Sequence, residues 1–311
     1  MAMILHQHLF SWDQVDRSSD LYRLKLVLKH LLDEGIVAEL ERLRGNGRDT
    51  YPVRATWNAL LAAVVLQHPS MESLLRELRR NAELRLVCGF NPVHGAEAVP
   101  TPWAMSRFLA NVVELTGLVE EMFDEQVQRL SELLPDLGTH AAFDGKAVES
   151  HSTGRRDKET GQTSDPDADW GTKTYTGVSS DGSAWEKTKR WFGYQLHLIV
   201  DSVYEIPLAF EVLPASTSEV TRLLPMVQKM KQGHPEIVER CETLSADRGL
   251  DSSTVNKELW LDHGIKPVVD TRKLWKDEKQ EQGHDPDREV TRPLRPDAVD
   301  NIVYTERGEV R

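Results

Sequence analysis

The hydrophobic period of this chain changes once, near Leu137, and that change decides what each part can become. Before it, apolar residues recur at helical spacing: Leu24, Val27, Leu28, Leu31 and Leu32 fall on one stripe. After it they alternate with polar residues, as in "FGYQLHLIVDS", the pattern of a half-buried strand. A chain of 311 residues is also longer than most single cores accommodate. Two domains are therefore expected, an all-α bundle over 1–137 and an α/β domain over 138–311.

Local signals divide the first part into short helices. Pro52 suits a first helical turn, Ser70 an N-cap, and Thr101-Pro102 a cap followed by a first turn. "TGLVEEMFDEQVQRLSELLPD" reads as a long amphipathic helix ending at Pro135. The bundle has room for a helix-turn-helix pair, but no dense Arg/Lys recognition helix stands out. A purely structural helical cap fits the pattern equally.

In the second part, "HAAFDGKAVE" reads as a strand. Residues 151–190 are polar and rich in Gly, Ser, Asp and Lys, which predicts a long loop or insertion. "FGYQLHLIVDS" and "IPLAFEVLPAS" follow as a hairpin across "VYE". "TSEVTRLLPMVQKMKQGHP" is a helix capped by Thr217 or Ser218. "CETLSAD" is a strand, "SSTVNKELWLDHG" a helix closed by Gly264, and "IKPVVDT" a strand. The order β-β-β-α-β-α-β predicts a mixed sheet with helices on both faces. Its first strand would lie beside its fourth.

Two carboxylates stand out in that topology. Asp144 follows the apolar Ala141–Phe143 and precedes Gly145 and Lys146; Asp247 ends "LSAD" before Arg248-Gly249. A carboxylate in a buried strand is costly unless paired or metal-bound. On adjacent strands about 4.8 Å apart the two would repel, and a shared Mg2+ removes the conflict. The plainer reading makes each a turn or cap residue.

Composition limits the alternatives. Net charge is −12, which argues against a DNA-binding surface spread over the whole body. The average still hides basic clusters at "GRRDK", "EKTKRW" and "DTRKLWK". Two distant cysteines, Cys88 and Cys241, form neither a disulfide framework nor a zinc motif and fit a reducing cytoplasm. No apolar run of membrane-spanning length and no signal peptide is evident. GxGxxG, P-loop and GxSxG motifs are absent, against a small-molecule α/β enzyme.

The motifs then converge on one likeness. "FDGKAVES", "DPDADWGTKTY", "WFGYQLHLIVDS", "LPASTSEV" and "LSADRGLDS" resemble successive segments of the RNase H-like domain of DDE transposases from bacterial insertion sequences. "YPVRATWNALLAAVVLQHPSMESLLRELRRNAELRLVCGF" and "VPTPWAMSRFLANV" resemble the helical, InsH-type N-terminal domain of the same enzymes. The likeness covers most of residues 20–311. It implies Asp144 and Asp247 as catalytic, metal-binding aspartates and Mg2+ or Mn2+ as cofactor. It implies DNA as substrate, both as terminal inverted repeats and as target. It implies cleavage and strand transfer, homo-oligomeric assembly on DNA, and a bacterial, cytoplasmic, nucleoid-associated location. The family's third acid, a Glu on a later helix, has no clear counterpart. Glu278 and Glu281 are candidates on a short helical segment that lacks an apolar face to dock on the sheet, and Glu306 and Glu309 flank a turn-like "RG" and are expected to be solvated. The expectation is a C-terminally truncated chain, inactive alone. A remnant that only binds DNA or partner subunits is the rival reading, and a plain nuclease of the same fold class is another.

Further residues complete the expected site. Lys146, two residues past Asp144, shares its strand face and would touch a DNA phosphate or pair with Asp144. Lys187, Lys189 and Arg190, interleaved with Trp170, Trp185 and Trp191, would grip phosphates and stack on bases; the plainer role for the tryptophans is to pin the loop. Arg248 would hold a phosphate or cap its turn. His197 is expected as a partly exposed strand histidine.

Overall fold

A computed structural model describes residues 19–46, 50–158, 160–179, 183–269, 294–296 and 303–305. The chain divides into two compact units, Met1–Arg129 and Leu130–Arg311.

The first unit is helical: α1 (Asp20–His30), α2 (Glu34–Arg44), α3 (Val53–Val65), α4 (Met71–Arg80), α5 (Ala82–Cys88), α6 (Pro102–Glu114) and most of α7 (Thr116–Leu133). Polar side chains start these helices by satisfying otherwise orphaned amides. Ser70 accepts from the Ser73 amide at 3.2 Å, Asn81 from Leu84 at 3.0 Å, and Thr101 from Ala104 at 3.2 Å. Small residues on α3, namely Ala55, Ala59 and Ala62, let it sit in the centre against Leu24, Leu74, Leu78 and Leu84. A second cluster gathers Ile36, Val37, Leu40 and Trp57. Beside it the buried Asp33 is held by Trp57 Nε1 at 2.6 Å and by an ion pair with Arg54 at 2.7 Å.

The second unit is built on a six-stranded mixed sheet: β1 (His140–Glu149), β2 (Asp169–Val178), β3 (Ala184–Asp201), β4 (Pro207–Pro214), β5 (Thr243–Ala246) and β6 (Lys266–Val269). The path is β2-β3-β1-β5-β6, with β4 also on β3. β1 runs antiparallel to β3 and parallel to β5. Helices α8 (Leu223–Gly233), α9 (Pro235–Arg240) and α10 (Ser253–His263) fill the connections, and Gly264 closes α10 in the left-handed conformation at φ 71°. This is an RNase H-like mixed α/β architecture. A separate antiparallel pair, β7 (Leu294–Pro296) and β8 (Val303–Thr305), follows.

Three sequence expectations change. The segment 151–190 is not one loop: its second half forms β2 and the start of β3, a two-stranded ribbon from Asp169↔Gly193 to Val178↔Ala184. Threonine and aromatic residues in "DWGTKTYTG" favour extended backbone despite the polar composition. The remaining loop is tied down by Asp165, which accepts hydrogen bonds from Ser150 Oγ at 2.5 Å and Tyr194 Oη at 2.6 Å.

The second change concerns the faces of the sheet. Burial alternates along the strands, with Ala141, Phe143, His197, Ile199 and Leu244 on the packed face. The opposite face carries Asp144 and Lys146, and there Val148, Val212 and Val268 stay exposed, so helices do not cover both faces at these positions.

The third change is the phase of β3. Gln195, His197 and Asp201 point to the packed face, while Leu196 and Leu198 are only half-buried on the other. Register explains it: Phe143 pairs with Ile199, so the residues two away on β3 share its buried side. His197 is therefore wholly buried, not partly exposed, and stacks parallel to Phe143 with centroids 6.1 Å apart.

Candidate active site

Parallel pairing sets the site. β1 and β5 are registered as Ala142↔Ser245 and Phe143↔Ala246. Asp144 and Asp247 are the next residue on each side. Residues in register on neighbouring strands share a face, at a strand spacing of about 4.8 Å. Both carboxylates therefore emerge side by side on the open face of the sheet.

Each is fixed in the same way. Asp144 Oδ1 accepts the Gly145 amide at 2.8 Å, and Asp247 Oδ1 accepts the Arg248 amide at 2.7 Å. One oxygen of each is thus oriented by its own backbone, and the other takes no hydrogen bond from the described residues. Both side chains are exposed, which corrects the expectation of a buried Asp144. The strand is buried through Phe143, but the pleat turns Asp144 outward, so no desolvation cost calls for a neutralising ion. Among the described residues of this unit the buried carboxylate is Asp201, 1% exposed, and three amides satisfy it.

A further acid, expected as part of a helix, lies near the pair but on the Gly145 side of β1. Glu219 opens a short 3-10 turn, Glu219–Thr221, which touches the turn Arg248–Leu250 that follows Asp247. Its carboxylate accepts a hydrogen bond from Gln195 Nε2. Burial raises the pKa of Glu219; Asp144 and Asp247 raise it further, while Lys173 and the Gln195 hydrogen bond oppose them. The signal in the sequence was an acid just after the strand "PLAFEVLP", which a helix N-terminus also explains.

Two hard carboxylate groups, same-faced and each with a free oxygen, suit a hard divalent cation that retains several waters. Among the described residues no group of three His, Cys, Asp or Glu side chains is placed to hold a metal ion. Glu278, Glu281, Glu306 and Glu309 lie outside the described residues.

The basic residues separate by strand face. Lys187 and Lys189 lie opposite Tyr175 and Lys173, so these four share one side of the ribbon. Arg190, opposite Thr172, lies on the other side, 5.4 Å from the Trp170 ring. Lys189 makes an exposed 3.1 Å ion pair with Glu149, of little energetic weight. Lys146 shares the open face with Asp144, and no ion pair joins the two. Arg248 is exposed at the start of its turn. Trp191 is buried over Gly171 and does pin the ribbon, whereas Trp170 and Trp185 remain exposed.

Comparison with known proteins follows the same division. Residues 136–309 match the family model described as a transposase DDE domain, and residues 12–111 match one described as a transposase domain (DUF772). A Burkholderia cepacia protein named "Putative transposase for insertion sequence element IS402" is 35% identical over 82 residues. That alignment covers 25% of this chain and 37% of the relative's own length. No helix among the described residues is long and apolar enough to cross a membrane.

Proposed function

The chain belongs to the transposase DDE-domain family, and from that premise we propose that it is an insertion-sequence transposase that cuts and transfers DNA strands at Asp144 and Asp247. The observation that supports the reading is the parallel pairing of β1 with β5, whose last registered pair, Phe143↔Ala246, is followed directly by Asp144 on one chain segment and Asp247 on the other. These residues would hold Mg2+ or Mn2+, and the bound cation would supply Lewis-acid stabilisation of the reacting phosphoryl group. The amides of Gly145 and Arg248 keep both carboxylates oriented, so little reorganisation is needed on binding.

The chain's own cations handle the substrate. Lys146 on the site face, Arg248 beside Asp247, and Lys173, Lys187 and Lys189 on one ribbon side would contact phosphates; Arg190 with Trp170 would serve the other side. Residues 1–137 would act as the domain that binds terminal inverted repeats, and residues 138–311 as the catalytic domain. Assembly as a homo-oligomer on double-stranded DNA and a cytoplasmic, nucleoid-associated location complete the proposal.

The test uses duplexes carrying the ends of the parent element, with Mn2+. Asp144→Asn and Asp247→Asn should each lower cleavage by about a thousandfold, as expected for losing several kcal/mol of transition-state charge stabilisation. Cleavage by either variant within about tenfold of wild type would overturn the assignment. A second reading is DNA binding without catalysis. It predicts duplex binding with neither cleavage nor strand transfer.

A further inference from the structure

Gly145 follows Asp144, and its missing side chain has a spatial reason. A Cβ built there would lie 2.5 Å from Glu219 Oε1 and 2.6 Å from Gln195 Nε2. The backbone itself does not demand glycine, because Gly145 is not among the residues of positive φ. What demands it is the Glu219–Gln195 pair seated over the strand. Gln195 is buried on β3, two residues from His197, the pairing partner of Gly145. The pair joins the Glu219 turn to β3 and lies against Gly145 of β1, whose N–H orients Asp144. On its other side the Glu219 turn rests against the turn that follows Asp247.

We propose that Glu219 is a positioning residue of the two-aspartate site: seated in the notch left by Gly145, it fixes the Asp144–Gly145 peptide relative to Asp247 and so sets the spacing that a divalent cation meets. The inference rests on the reading of Asp144 and Asp247 as cation ligands. Glu219 is not itself required to touch the cation. It acts through the strand beneath Asp144, as residues behind metal ligands commonly do.

The two halves of the contact can be perturbed separately. Gly145→Ala keeps the Glu219 charge but takes its seat. Glu219→Ala vacates the seat, and Glu219→Gln keeps both shape and an acceptor for Gln195. Mn2+ affinity of the full chain, read from the free-ion paramagnetic resonance signal, should fall about tenfold in Gly145→Ala and in Glu219→Ala. Glu219→Gln should recover to within about threefold of wild type, since it preserves the contact. With Glu219→Ala in place, adding Gly145→Ala should cost less than about twofold more, because the two changes break one interaction.

A merely structural role would lower the thermal midpoint without Mn2+ and leave the affinity unmoved. That result, with Asp144→Asn still abolishing Mn2+ binding, overturns the positioning role alone. A wild-type chain that binds no Mn2+ removes the two-aspartate reading, and the positioning role with it.

Discussion

Asp201→Asn should be among the most destabilising single-atom changes in the second unit. The Asp201 side chain is 1% exposed, with Oδ2 accepting the Gly138 amide at 2.7 Å. Oδ1 accepts the amides of Val203 at 2.8 Å and Tyr204 at 2.7 Å. These bonds tie the lead into β1, the strand that carries Asp144, to the turn between β3 and β4. A hydrogen bond to a charged group contributes about 1.5–3 kcal/mol, and one between neutral groups about 1. Asparagine keeps the two turn bonds at the neutral value, so each weakens by about 1 kcal/mol. Its NH2 then faces the Gly138 N–H, donor against donor, and a buried unsatisfied donor costs about 1–3 kcal/mol more. Part is regained because a carboxylate no longer has to be buried. The net loss is about 3 kcal/mol. Urea denaturation followed by tryptophan fluorescence measures it, as a lower midpoint for the second unit with an unchanged slope. Asp201→Asn within about 0.5 kcal/mol of wild type would refute the reasoning, because the three bonds would then not hold the turn.

Two other predictions follow from the same face of the sheet and from the ribbon. His197 is buried against Phe143 with neither ring nitrogen hydrogen-bonded among the described residues, and burial lowers its pKa below 6.5. The unfolded chain therefore binds more protons below about pH 6.5, so stability is full above that pH and falls as pH drops; His197→Phe should shallow this fall, read as denaturation midpoints at pH 7.5 and 5.5, and an unchanged dependence would count against the buried neutral ring. On the ribbon, Lys173→Ala and Lys187→Ala should each weaken duplex binding and reduce the slope of log affinity against log salt by about 1, whereas an unchanged slope would place the DNA elsewhere.

Much of this molecule was legible because its signals are local. Ser70, Thr101 and Gly264 cap helices where the sequence places them, since a cap is decided within one turn. The neighbourhood of Asp144 and Asp247 followed from connection rules, which bring the first strand of such an order beside the later parallel one. β2 was missed because a ribbon exposed on both sides needs no apolar alternation. Its signal lay instead in Thr172, Thr174 and Thr176 at period two. The phase of β3 was unreadable for a different reason. Leu196 and Leu198 look like the inward set, yet the packed face belongs to Gln195, His197 and Asp201. Two of those three are polar groups satisfied by partners far off in sequence, Glu219 and Gly138. Glu219 escaped notice by the same logic, because what marks it is the space above Gly145.

The central claim is that Asp144 and Asp247 form one cation site. Replacing the cation with Fe2+ and adding hydrogen peroxide, with ascorbate to return Fe3+ to Fe2+, generates hydroxyl radicals at the ion, and the backbone is cut wherever it lies close. The account predicts paired cuts in the full chain, near residues 143–146 and near 246–249, both lost together in Asp144→Asn. Cuts at only one of these segments, or two sets that Asp144→Asn separates, would contradict it.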